Sequence, residues 1–257
     1  MKKRKGIRGG KELERNKGNK RKINNVSSGV GRGIMTQRGN KKGGNKRGEN
    51  KNMIEIERKF KLSSEEKERL LEGATLFGEE MFVDVYFDTE DFTLGKNDIW
   101  LRRRGEVFEL KIPVGQNQGR QTRQYQEISG AEKIREIFAV APVLDFETDI
   151  KVFGYEIFCR LKTTRRKYQK EGLTIDLDVA TSDLPGEQDF CYQVAEVELL
   201  VENKTETFRA SEEIENFAKK NKLKTENIRG KVAEYLFRKR PKHFATLVEA
   251  GIVEAEI

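Results

Sequence analysis

Charged side chains of both signs recur at every second position in several short stretches of this chain. In Glu55-Ile56-Glu57-Arg58-Lys59, the residues Glu55, Glu57 and Lys59 share one face of a strand, because successive side chains of extended backbone point to opposite sides. Trp100-Leu101-Arg102-Arg103-Arg104 groups Trp100, Arg102 and Arg104 in the same way, and Glu109-Leu110-Lys111 follows after a turn near Gly105. Tyr125 aligns with Glu127, Asp176 with Asp178, and Glu196 with Glu198. His243 is the only histidine, and Cys159 and Cys191 lack metal-ligand spacing and read as buried, reduced thiols. Chemistry here must therefore use carboxylates, amines, guanidiniums, hydroxyls or a hard metal ion.

Two architectures would carry such strands. An open antiparallel sheet with one wet face bears charges without consequence. The same faces, however, keep offering Glu pairs and Arg pairs, where Thr and Lys mixed at random would suffice. A sheet of about eight strands that closes on itself has an interior just wide enough for side chains or one small ligand. With the charged faces inward it becomes a tunnel lined by both signs, and charges removed from water must be compensated or neutralised. A polyanion together with a divalent cation would satisfy both sets.

Helices must frame these strands. Ser63 and Glu66 form a capping box ahead of Leu70 and Leu71. Helical spacing predicts further helices over 131 to 140, over 211 to 220 with Ser211 as N-cap, and over 231 to 239. Pro241 suits the first turn of a last helix that stops before Gly251. The class is α+β with mainly antiparallel strands.

The chain has 257 residues with 51 Lys and Arg against 43 Asp and Glu, a net charge of +8 that conceals two unlike pieces. Residues 1 to 52 hold 18 basic and three acidic side chains, 11 of the 23 glycines and no aromatic residue. Such a segment cannot bury enough apolar surface to offset the entropy of ordering it, and a disordered basic tail is expected. Residues 53 to 257 hold every Phe, every Tyr and Trp100, with a net charge of −7, and form the expected folded domain. No apolar run is long enough to cross a bilayer, and none follows the N-terminal charges as a secretory signal would, so a cytoplasmic protein is expected. The tail differs from a transit peptide; a nucleic-acid patch, a nuclear signal or sequence upstream of a start at Met53 are its three readings.

In order along the chain, Glu55-Ile56-Glu57-Arg58-Lys59, Asp84-Val85-Tyr86-Phe87-Asp88-Thr89, Trp100-Leu101-Arg102-Arg103-Arg104, Glu109-Leu110-Lys111, Tyr125-Gln126-Glu127, Thr163-Thr164-Arg165, Ile175-Asp176-Leu177-Asp178, Glu196-Val197-Glu198 and Lys231 resemble the CYTH, or triphosphate tunnel metalloenzyme, superfamily. Within it the pattern is similar to the animal thiamine triphosphatases, and the similarity runs from about residue 53 to 250.

The resemblance implies a closed eight-stranded antiparallel β tunnel with flanking helices. It also implies hydrolysis of thiamine triphosphate to the diphosphate and phosphate with magnesium, or manganese, as cofactor. By position it implies phosphate binding by Lys59, Arg102, Arg104, Lys111, Arg165 and Lys231, and metal binding by Glu55, Glu57, Asp176, Glu196 and Glu198. Arg165 or Arg166 can fill one position, and Asp178 stands as an alternative to Asp176. Trp100 either fills the barrel mouth or stacks on the thiamine ring. With no usable histidine, the candidate catalytic bases are Lys111, its pKa lowered by neighbouring cations, and Tyr86. Hydrolysis of inorganic or nucleoside triphosphates is the nearest alternative. A non-catalytic polyanion or RNA binder acting through the tail is the alternative of another class. The expected partner is a small-molecule substrate, with no membrane, nucleic acid only through the tail, and a monomeric state.

Overall fold

The computed structural model describes residues 53–115, 121–224 and 226–255. The expectation of disorder over residues 1 to 52 lies outside them. Eight strands form one closed barrel: β1 (Ile54–Phe60), β2 (Thr75–Thr89), β3 (Trp100–Arg104), β4 (Val107–Pro113), β5 (Arg123–Ser129), β6 (Tyr155–Lys170), β7 (Leu173–Ser182) and β8 (Cys191–Val201). Their spatial order is β1-β5-β4-β3-β2-β6-β7-β8, every pairing is antiparallel, and β8 returns to β1 to close the ring.

Local chemistry sets the turns. In the β3–β4 hairpin Arg104 pairs with Val107, and Gly105 supplies a positive φ of +56° at the first loop position. Glu171 and Gly172 both take positive φ, +54° and +81°, between β6 and β7, which suits the twist of the flanking strands. The helices are α1 (Ser64–Leu71), α2 (Ala131–Phe138), α3 (Phe146–Val152), α4 (Thr207–Lys220), α5 (Lys231–Lys239) and α6 (Pro241–Glu249). The capping box of α1 is present: Ser63 Oγ accepts from the Glu66 amide at 3.2 Å and the Glu66 carboxylate accepts from the Ser63 amide at 2.9 Å. Pro241 opens α6, which ends before Gly251. Two expectations need correction. Ser211 is no N-cap, because α4 already begins at Thr207. Helix α3, capped by Asp145 whose side chain accepts from the Thr148 amide, was not anticipated.

Alternation assigns the two faces of the barrel wall. Ile54 and Ile56 of β1, with Ile175 and Val197, point outward and pack under Ile214 and Phe217 of α4 and Leu70 of α1. Val85, Phe87, Leu101, Phe108 and Leu110 lie beneath Ile134 of α2 and Phe146 and Ile150 of α3. One end of the barrel is plugged by a third cluster, in which Tyr86, Leu161, Tyr192 and Val194 meet Tyr235, Leu236, Phe244 and Leu247 of α5 and α6. Burial of these apolar faces, at roughly 25 cal/mol per Å², holds the helices to the wall and leaves the alternate side chains for the interior. Cys159 is buried as expected, whereas Cys191, at the first position of β8, is exposed.

Candidate active site

The inward positions surround a cavity of about 400 Å³. Its lining includes Glu55, Glu57 and Lys59 from β1, Tyr86 from β2, Trp100, Arg102 and Arg104 from β3, Lys111 from β4, Arg165 from β6, Glu196 and Glu198 from β8, and Lys231 at the start of α5. Twelve of the thirteen residues singled out from the sequence thus converge on one hollow. Asp176 is the exception: it is fully buried behind Arg165 and Lys167 and does not reach the cavity surface.

Strand register explains the convergence of both signs. Lys59 lies directly opposite Glu196, Arg102 opposite Glu109, Arg104 opposite Asp84, Lys111 opposite Glu127, and Arg165 opposite Asp178. Opposite charges at facing positions stabilise a strand pair, and here the pairing is repeated around the ring. Arg104 meets Asp84 through Nε and Nη2 at 2.7 and 2.8 Å, and Arg102 meets Glu109 at 2.7 Å. Arg165 contacts Asp178 through two bonds of 2.7 Å and Glu196 at 3.0 Å, and it also pairs with Asp176. Lys231 reaches Asp178 from α5, and Lys59 reaches Glu57. Arg166, by contrast, pairs with Glu79 on the outer face and is more than half exposed, so Arg165 is the arginine of the cavity.

The acids are not equally compensated. Burial opposes the charge on Glu57, yet Lys111 and Lys59 outweigh it and hold the carboxyl well below its ordinary range. Glu196, buried but faced by Lys231, Lys59 and Arg165, is lowered to about 2. Glu55 goes the other way, pushed well up by burial and by its neighbours Glu57, Glu127 and Glu198 despite Lys111. Asp176 is raised to about 7, mainly by burial, with Glu198 and Glu196 adding to the effect against Arg165 and Lys167. Its Oδ2 faces Arg165 and Lys167, whereas its Oδ1 is buried with neither a hydrogen bond nor an ion pair.

The undercompensated Glu55 and the unpartnered Oδ1 of Asp176 are what a hard divalent cation would relieve, and the donor set is all carboxylate, as magnesium or manganese prefers. Among the described residues no three Asp, Glu, His or Cys side chains converge into a preformed metal cage. Magnesium ordinarily needs only one or two carboxylates, the rest of its shell being water and substrate phosphate. The residues present fit such an ion.

The expectation for Lys111 is overturned in one respect. Burial would lower its pKa, but Glu55, Glu57 and Glu127 surround the ammonium, the first two at 2.9 and 3.1 Å, and hold it well above the ordinary lysine value. Tyr86 is likewise held in its O–H form, by burial and by Asp84. Neither is poised as a base in this arrangement.

Among the further lining residues, Arg123 and Lys167 escaped the sequence reading, and Tyr125 and Glu127 were aligned on one face but given no role. Lys167 lies 3.5 Å from Asp176 and 3.6 Å from Glu198. It stands two positions from Arg165 on the same strand, and Arg123 stands two from Tyr125, so the alternation already in use would have found both. Asp84, almost fully buried and grasping Arg104, was quoted in the motif but given no role.

The CYTH domain family matches residues 53–230. The thiamine-triphosphatase of Macaca fascicularis is 30% identical over 211 residues, covering 77% of this chain and 91% of that protein. The thiamine-triphosphatase of Homo sapiens is 30% identical over 219 residues, with the same coverage of 77% and 91%. Among solved structures, a Pyrococcus horikoshii protein is similar at 23% identity and a TM-score of 0.48, covering 72% of this chain and 99% of that one. With the family matched across all eight strands and α4, the chain belongs to the CYTH family.

Proposed function

We propose that this chain is a metal-dependent thiamine triphosphatase, which hydrolyses thiamine triphosphate to thiamine diphosphate and phosphate. The observation that carries the reading is the convergence of Lys59, Arg102, Arg104, Arg165 and Lys231 with a row of buried carboxylates around one cavity of about 400 Å³. A triphosphate, with anionic oxygens along its length, is the ligand class that such a cationic row fits, and guanidiniums grip those oxygens in pairs. The thiamine moiety is supported by the names of the two relatives at 30% identity and by Trp100 in the cavity wall, whose indole offers a stacking surface to a cationic ring.

In this reading Lys59, Arg102, Arg104, Arg165 and Lys231 bind the phosphates, and Glu55, Glu57, Glu196 and Glu198 hold magnesium, with manganese as a substitute, while Asp176, buried behind Arg165, would reach the ion only if that arginine turned to the phosphates. The metal, when bound, supplies charge neutralisation at the phosphate oxygens. The cationic side chains do the same from the other wall, stabilising the charge that shifts onto the leaving diphosphate oxygen as the terminal phosphorus–oxygen bond breaks. A water attacks that phosphorus in line and loses a proton. Lys111 keeps its own proton while Glu55 and Glu57 face it. Once those carboxylates are engaged, Glu127 at 3.8 Å is opposed by Arg102, the pKa of Lys111 falls from its raised value and it can accept the proton of the attacking water. Tyr86, kept as O–H, orients the water rather than deprotonating it.

No helix among the described residues is long and apolar enough to cross a membrane. A cytoplasmic monomer acting on a small-molecule substrate is the setting we infer. The test is phosphate release from thiamine triphosphate, inorganic triphosphate and ATP at equal concentration with magnesium, by the full chain and by residues 53 to 257. The proposal expects thiamine triphosphate to be hydrolysed fastest and the shorter chain to keep that activity. Faster release from either competitor would assign the tunnel to another triphosphate. Binding of RNA or polyphosphate without turnover, lost on removal of residues 1 to 52, would make it a binder.

A further inference from the structure

A buried carboxylate outside the charged rows links two aromatic residues of the cavity wall. Asp98 follows the 3-10 turn Gly95–Asn97, is 5% exposed, and adopts the left-handed conformation, φ 56° and ψ 29°, that Asp tolerates better than most residues. The loop before it is fixed: the Asp88 carboxylate accepts from the amides of Thr89, Leu94 and Gly95 at 2.8 to 2.9 Å. Asp98 Oδ1 in turn accepts from the indole Nε1 of Trp100 at 3.0 Å and from the hydroxyl of Tyr125 at 2.8 Å, and Arg123 lies 3.9 Å from its other oxygen. The face of Tyr125 carries the ammonium of Lys111 4.8 Å from the ring centroid. One carboxylate therefore fixes the Trp100 indole and, through Tyr125, the aromatic ring that faces Lys111, the cross-strand partner of Trp100.

We propose that Asp98 is a positioning residue for substrate selection, holding the Trp100 indole in the orientation that receives the organic ring of the substrate. The inference rests on the thiamine triphosphatase reading. An indole has two rotatable bonds, and a buried charge-assisted hydrogen bond removes the freedom that stacking would otherwise have to overcome. Asp98 touches neither phosphate nor metal ligands, so its removal should separate ring recognition from triphosphate recognition.

The experiment uses the full chain with magnesium and measures kcat and KM for thiamine triphosphate, and the inhibition constant of inorganic triphosphate as competitor. Trp100 is the only tryptophan, so intrinsic fluorescence reads this one side chain. For Asp98→Ala the proposal expects KM for thiamine triphosphate to rise on the order of tenfold. The inhibition constant should change less than about twofold, and quenching of Trp100 by thiamine diphosphate should weaken in parallel with KM. Asp98→Asn, which keeps one acceptor for the indole, should recover most of the affinity and guards against a variant that fails to fold. Equal losses for both ligands in Asp98→Asn, or wild-type KM and quenching in Asp98→Ala, would overturn the positioning role while leaving the activity standing. A wild-type chain that does not hydrolyse thiamine triphosphate would overturn both.

Discussion

Arg165 and Asp178 face each other across β6 and β7, with Nε and Nη2 of the guanidinium each 2.7 Å from a different carboxylate oxygen, and Lys231 from α5 meets the same carboxylate. A barrel strand and a helix that closes the barrel are thus tied to one buried acid. Replacing Arg165 by Ala leaves Asp178 and Asp176 short of a partner, and a loss of roughly 3–5 kcal/mol in unfolding free energy is expected. Arg166→Ala, which removes only the exposed pair with Glu79, should stay within about 0.5 kcal/mol. Urea titration of the two variants checks the contrast, and comparable losses would show that the buried pairing has been misassigned.

Lys111, proposed as the acceptor of the water's proton, lies between Glu55, Glu57 and the aromatic ring of Tyr125. Lys111→Met is expected to lower kcat by about a hundredfold or more, the usual contribution of a proton-transfer group, with KM changing far less. Steady-state phosphate release separates the two constants. Unchanged turnover would remove Lys111 from the chemistry.

Asp176 gives a pH dependence whose sign follows from its environment. Its carboxyl rises from an ordinary 3.8 to about 7 in the folded chain, so between these values the native state retains a proton that the unfolded state has released. The stability it contributes is complete below 3.8 and is lost as pH rises through about 7. Asp176→Asn escapes that loss. Thermal unfolding in chelator should show the difference between variant and wild type moving in favour of the variant from pH 4 to pH 8. A difference independent of pH would mean that Asp176 is ionised throughout.

Gly230 precedes α5, and a Cβ placed there would lie 3.0 Å from Cε of Lys59. The backbone at Gly230 is ordinary, with φ −69°, so the cost of Gly230→Ala falls on the lysine stem and not on the fold. KM for thiamine triphosphate should rise several-fold with kcat and the unfolding midpoint nearly unchanged. A fall in thermal stability without a change in KM would place the strain elsewhere.

Much of this site could be read before any coordinates, because a period of two is a local property. Glu55, Glu57 and Lys59 face inward and Ile54 and Ile56 face α4, as alternation requires. The capping box at Ser63 and the proline start of α6 were legible for the same reason: both are set by neighbours within one helical turn. Choosing between Arg165 and Arg166 was different, since it needs the phase of β6, which is fixed by pairing with β2 and β7 far along the chain. The insertion of β5 between β1 and β4 is likewise a long-range result. The expectation that neighbouring cations lower the pKa of Lys111 fails because the fold brings Glu55 and Glu57 to it from another strand, a long-range result. Helix α3 was obscured by the apolar run around Pro142 that precedes its Asp145 cap.

The most direct test of the two-walled site is the magnesium dependence of phosphate release from thiamine triphosphate by the wild-type chain and by Glu57→Gln. Wild type should be silent in chelator and activated by added magnesium, and the variant should need much more magnesium to reach a lower maximum, because one of the carboxylates proposed to hold the ion has lost its charge. Full activity in chelator, or identical magnesium curves for the two chains, would contradict a metal held by the acidic row opposite the phosphate-binding cations.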